Sequence, residues 1–249
     1  MVRWGMQVAL TTAILLAAWQ TLVSLTGLPI FILPGPWDVA QALVKYRALI
    51  WEHLQTTLIE VLAGIVLGTA LGAYTAVSLY LMPGMRRIVQ PFLVLSQAIP
   101  VFALAPILVV WLGYGITPKI VMTVLIIYFP VTSAFLDGLM APRRGLEDLA
   151  DVMGANALRR LWHLQIPAAL PNLASGLRLA AVYAPIGAVI GEWVGSSAGL
   201  GYLMLYANGR SLTQLMFASL FCLALMTLVL YALIGVLARR LERYAAGET

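Results

Sequence analysis

The residues able to do chemistry in this chain are few, and they stand apart from one another. Glu192 lies late in an apolar run and is followed by the small-residue stretch Ser196-Ser197-Ala198-Gly199-Leu200-Gly201. Charge in hydrocarbon is expensive, so an acidic residue there is a functional candidate. Small residues beside it permit close backbone approach or a break in regular helix. Two readings stay open for Glu192, a pathway or gate group and a structural ion-pair partner. Glu60, near the outer end of another apolar run, is a candidate of the same kind, with a solvated position as its preferred reading. Asp137 and Arg178 are placed either to pair between helices or to snorkel separately. Gln97, beside Ser96 and Pro100 and flanked by Pro91 and Pro106, offers an amide to a solute or to a neighbouring helix. His53, His163 and Cys222 make neither a metal cluster nor a nucleophile with its base. A phosphate loop needs glycines followed by Lys and Ser or Thr; the nearest pattern, Gly113-Tyr114-Gly115, has no such lysine. No cofactor of its own and no enzymatic reaction are expected.

The elements holding these groups follow from composition. Of 249 residues, 62% are hydrophobic and 10% charged, with a mean hydropathy of +0.94. A soluble fold carries roughly 25% charged residues, and disorder requires low hydrophobicity, so both are excluded. Nucleic-acid binding is not expected despite the net charge of +5, because the basic residues sit in short pairs between apolar blocks. A helix crosses a bilayer with about 20 apolar residues, and six stretches qualify: roughly 6–26, 54–80, 88–112, 118–139, 173–195 and 214–238. Proline, glycine and arginine clusters separate them. Residues 37–52 are amphipathic and predicted to lie along an interface.

Lys and Arg set orientation. With both termini cytoplasmic, ten arginines fall inside (Arg3, Arg86, Arg87, Arg143, Arg144, Arg159, Arg160, Arg239, Arg240, Arg243) and four basic residues outside (Lys45, Arg47, Lys119, Arg210). The fold expected is all-α, polytopic, a single transmembrane domain over 1–249. Gly64, Gly68 and Gly72 form a small-residue face for helix packing. Tyr183 and Trp193 are the aromatic residues best placed to stack on a planar ring; Trp111, Tyr114, Tyr128 and Tyr202 read as interfacial belt.

Residues 141–172 make a cytoplasmic insert between the fourth and fifth spans. Helical spacing over 147–164 puts Leu149, Val152, Met153, Leu158, Leu161 and Trp162 on one apolar stripe, and Pro167 and Pro171 are expected to stop that helix. Such a stripe outside the bilayer suits a docking element.

This insert resembles the E-A-A, three residues, G, nine residues, I-x-L-P pattern of ABC importer permeases. Asp148-Leu149-Ala150 stand at the E-A-A places and Gly154 at the glycine, with Ala155 next to it. Leu164, Ile166 and Pro167 stand at I, L and P. Asp for Glu and Leu for Ala are departures. The runs LPGPWDVAQAL, SQAIPVFALAPILVVWLGYG and GEWVGSSAGLGYLM are similar to permeases of the nitrate/sulfonate/taurine branch, above all those for thiamine-pyrimidine precursors. The resemblance implies a type I importer fold with six transmembrane helices in the inner membrane. It implies a second permease chain, simplest as a homodimer, a periplasmic substrate-binding protein, and an ABC ATPase subunit that binds ATP and magnesium. Asp148 through Pro167 would then couple to that ATPase, and Gln97, Pro100, Tyr183, Glu192 and Trp193 would line the pathway. Sulfonate, taurine or nitrate-type anions are the alternative solutes, and a passive channel the alternative class.

Overall fold

A backbone in hydrocarbon has no water to bond, so apolar runs of bilayer length close their hydrogen bonds as helices. The computed structural model describes residues 2–141, 145, 148, 150 and 152–247. The helices are α1 (Val2–Thr26), α2 (Pro36–Lys45), α3 (Arg47–Leu81), α4 (Pro83–Ser96), α5 (Val101–Leu112) and α6 (Thr117–Met140), then α7 (Ala157–Arg160), a π turn (Leu161–Gln165), α8 (Ile166–Trp193), α9 (Leu200–Gly209) and α10 (Thr213–Ala246). Among the described residues, α3, α6, the continuous Ala157–Trp193 run and α10 are long and apolar enough to cross a membrane. In α1 the apolar stretch is Ala13–Thr26.

The third expected span is not one helix. α4 and α5 meet at 98°, with Gln97 to Pro100 at the corner. Pro100 lacks an N–H and disfavours helix in the residue before it, while Gln97 and Ala98 close tight turns onto Val94 and Leu95. A second expectation also fails: Pro167 and Pro171 do not end a helix, because the chain runs on to Trp193. The π turn widens the helix just ahead of Pro167, where the i→i−4 ladder would lose a donor anyway.

The chain divides into two compact units. The first holds residues 1–56 and 197–224. Its core is Val39, Ala42, Ile50, Leu200, Leu203, Ala207, Leu215 and Ala218. Pro36 opens α2 in the first turn, and the Gly35 N–H donates to Asp38 Oδ2 at 2.9 Å. The interfacial helix expected over 37–52 is thus two helices, α2 and the start of α3. His53 is buried; its Nδ1 accepts the Gly199 N–H at 3.0 Å and its ring lies 5.6 Å from Tyr202, which fixes the entry to α9. Cys222 is half-buried beside this core.

The second unit holds residues 57–196 and 225–249. In it α6 packs extensively against α8, an antiparallel neighbour joined to it by the 141–165 segment. Glycines on both sides make this approach possible. On α3, a Cβ at Gly64 would strike Thr123 of α6, and one at Gly68 would lie 2.6 Å from Ile127 Cγ1. At Gly72 a Cβ would lie 3.1 Å from Val131 and Thr132. On α8, Gly187 and Gly191 sit against the backbone of Thr123 and Lys119. At the loop end of these helices, Ala76, Leu79, Phe135, Leu136, Leu139, Leu161 and Ala169 form an apolar core.

Candidate coupling loop and pathway residues

The loop is built differently from the single helix expected over 147–164. Asp148, Ala150 and Val152 are helical, and then the chain turns at Met153-Gly154. Gly154 has φ +68°, the left-handed conformation that glycine adopts freely at the end of a helix. The Ala155 N–H donates to Ala150 O at 2.9 Å, and Asn156 starts the next helix by accepting the Arg159 N–H on its side chain at 2.8 Å. Arg160 Nε donates to Ala155 O at 2.9 Å and closes the turn from the other side. Leu149, like Arg143, Arg144, Glu147 and Asp151, lies outside the described residues.

This turn splits the apolar stripe in two. Leu161 is buried in the core at the ends of α3, α6 and α8. Val152, Met153, Leu158 and Trp162 point away, with exposures between 61% and 87%. A concavity of about 430 Å³ opens among Ala150, Met153, Ala155, Arg159, His163 and Leu164. The loop therefore has an anchored inner face and an uncovered outer face with basic side chains. Replacing Asn156 by Ala removes the cap, which costs about 1 kcal/mol; hydrogen exchange at residues 157–160 is expected to accelerate accordingly.

The pathway candidates do not form one group. Gln97 and Pro100 are exposed at the α4–α5 corner, where Gln97 Nε2 donates only to neighbouring Ser96 at 3.3 Å among the contacts described. On α8, Tyr183 and Trp193 lie on one exposed stripe with Leu179, Val182 and Ile186, the positions that recur on one helical face. The opposite face, with Ala180, Ala184, Gly187, Ala188 and Gly191, is buried.

Glu192 belongs to neither. It is 1% exposed, and its Oε1 accepts the Thr57 hydroxyl at 2.6 Å. Glu60, read from the sequence as solvated, is 0% exposed and pairs with Lys119 Nζ at 3.0 Å. The correction has a visible cause: Glu60, Gly64, Gly68 and Gly72 recur every four residues, so Glu60 shares the face that α3 presents to α6. Lys119 enters the sequence reading only as an outer basic residue and Thr57 not at all, and only packing brings them there. Arg178 pairs with Glu242 at 2.7 Å rather than with Asp137, which is exposed.

The second unit thus combines a proline-cornered broken helix, glycine-packed spans and a loop anchored by Leu161. A family model for the binding-protein-dependent transport system inner membrane component matches residues 64–244. The chain belongs to that family, and its role is that of an ABC importer permease. It is 49% identical over 231 residues, 93% of this chain and 94% of the other, to a probable ABC transporter permease protein of Haemophilus influenzae. It is also similar to the formylaminopyrimidine transport permease ThiX of Halalkalibacterium halodurans, at 36% identity and 88% of each chain. The riboflavin transport permease RibX of Chloroflexus aurantiacus matches at 38%, over 95% of this chain and 89% of that one. An inward-facing structure of the MetNI methionine ABC transporter aligns with a TM-score of 0.63 at 19% identity, covering 77% of this chain and 94% of that chain. That likeness concerns the fold.

Proposed function

We propose that this permease imports a small planar nitrogen heterocycle, a thiamine-pyrimidine precursor of the hydroxymethyl- or formylaminopyrimidine kind. One observation carries the substrate class: two relatives more than a third identical over most of the chain are named for formylaminopyrimidine and riboflavin, both flat heterocycles. Taurine and aliphatic-sulfonate permeases match at 28%, which ranks an anionic solute second. The exposed Tyr183 and Trp193 suit a flat ring, because aromatic faces stack with little entropy to lose. In this reading two copies of the chain form the pathway in the inner membrane, with both termini cytoplasmic, and a soluble protein delivers the solute from outside. Separate ATPase subunits bind ATP and magnesium and hold the Asp148–Pro167 loop, covering Val152, Met153, Leu158 and Trp162.

Proteoliposomes containing the chain, its ATPase and its binding protein test this. Uptake of labelled formylaminopyrimidine should need ATP and resist excess taurine. Trp193→Ala should raise the KM for uptake by up to about tenfold, the equivalent of one aromatic stacking pair. Uptake that proceeds without the ATPase would instead establish a passive channel, and uptake abolished by taurine would move the substrate to the sulfonates.

A further inference from the structure

Glu60, Lys119, Glu192 and Thr57 come from three helices and meet at one place. Lys119 is the third residue of α6 and Glu192 the last but one of α8, so both lie at the ends farthest from the 141–165 loop, which joins the other ends of the same two helices. Glu60 Oε1 and Lys119 Nζ are 3.0 Å apart, and Thr57 donates to Glu192 at 2.6 Å. Thr57 and Glu60 stand three residues apart on α3, and Gly191, next to Glu192, lies against Lys119, with 2.9 Å from a Cβ built there to Lys119 Cα. The two carboxylates, the ammonium and the hydroxyl are each less than 10% exposed.

We propose that Glu60, Lys119 and Glu192 are positioning residues for transport, fastening the far ends of α6 and α8 to α3 so that a displacement at the loop moves all three helices as one body. Three attachments then hold this body along its length. Leu161 ties the loop into the core at the near ends. Gly64, Gly68 and Gly187 bring α3 and α8 onto α6 in the middle. The polar cluster closes the remote end beside a small apolar core of Ala105, Leu108 and Met122, against which Ile190 and Val194 pack. Close-packed groups transmit displacement because they have discrete arrangements rather than a continuum. Removing one member of a buried charge pair leaves the other uncompensated, whereas removing both does not. Lys119 is the cation paired with Glu60, so its loss leaves that buried carboxylate uncompensated. The proposal rests on the coupling-loop reading above.

The test is the number of solute molecules imported per ATP hydrolysed, in proteoliposomes carrying the full transporter. For Lys119→Met this ratio should fall about tenfold, within the range by which connecting residues modulate coupling, while ATP hydrolysis stays near wild type. The double variant Glu60→Gln/Lys119→Met should recover most of the lost ratio. A purely structural role would instead lower uptake and hydrolysis together and leave the ratio unchanged; that result, or a double variant no better than the single, overturns the proposal. If Lys119→Met does not assemble, the near-isosteric Glu60→Gln is read in the same way, and an unchanged ratio overturns the proposal equally. Gly154→Val separates the two readings. If it leaves uptake intact, the coupling loop is misassigned and this proposal falls with it. If it blocks uptake while Lys119→Met keeps a wild-type ratio, only the positioning role is lost.

Discussion

Gly187→Leu will prevent the second unit from assembling. A Cβ at this position lies 2.7 Å from Thr123 Cα and 3.1 Å from Thr123 N, so it meets backbone, not the tip of a side chain that could swing away. Relief requires α6 and α8 to separate along their extensive contact. Inserting bulk into a well-packed interior costs on the order of 3 kcal/mol. Here the added leucine also pushes Gly191 away from Lys119, whose Cα lies 2.9 Å from a Cβ built there. The expected result is a chain that inserts but is recovered as aggregate, read by size exclusion in detergent before and after mild heating. Gly84→Leu, where nothing lies within 4 Å of a built Cβ, is the control and should behave as wild type. Equal recovery of the two variants would show that the glycine contacts do not hold α8 on α6.

The second large effect is conformational, not steric. Nothing lies within 4 Å of a Cβ built at Gly154, yet its φ of +68° is strained for any residue with a side chain. The left-handed region costs roughly 1–2 kcal/mol for most residues, more for β-branched ones, and least for Asn. Gly154→Val should therefore open the turn between Ala150 and Asn156 and reduce ATP-driven uptake by about tenfold or more. Gly154→Asn should retain most of it. Assembly of the permease itself should be unaffected in both, because Gly154 is exposed and outside the core. Equal uptake by the valine and asparagine variants would mean that the turn geometry has no part in coupling.

Much of this was legible beforehand. The apolar runs that became α3, α6, α8 and α10 follow from hydropathy alone, since a helix is the one open-ended way to satisfy a backbone in lipid. The glycine face of α3 followed from four-residue spacing. Gly154 was marked by the loop pattern, although its role as a turn between two helices, not a link inside one, was not. Glu60 was legible in principle: a carboxylate in register with Gly64, Gly68 and Gly72 shares their face, and that face is buried. Reading it by depth alone gave the wrong answer.

Composition and periodicity thus determined that the chain is built of lipid-length helices, because the bilayer constrains length and polarity residue by residue. Tertiary packing alone decided that Lys119 of α6 would meet Glu60 of α3, that Arg178 would choose Glu242 over Asp137, and that Leu161 would turn inward while Trp162 stayed uncovered. Those outcomes depend on helix rotation and on which faces interlock. A charge's distance along the chain carries no trace of the neighbour it will find, since that neighbour is set by close-packing of surfaces dozens of residues apart.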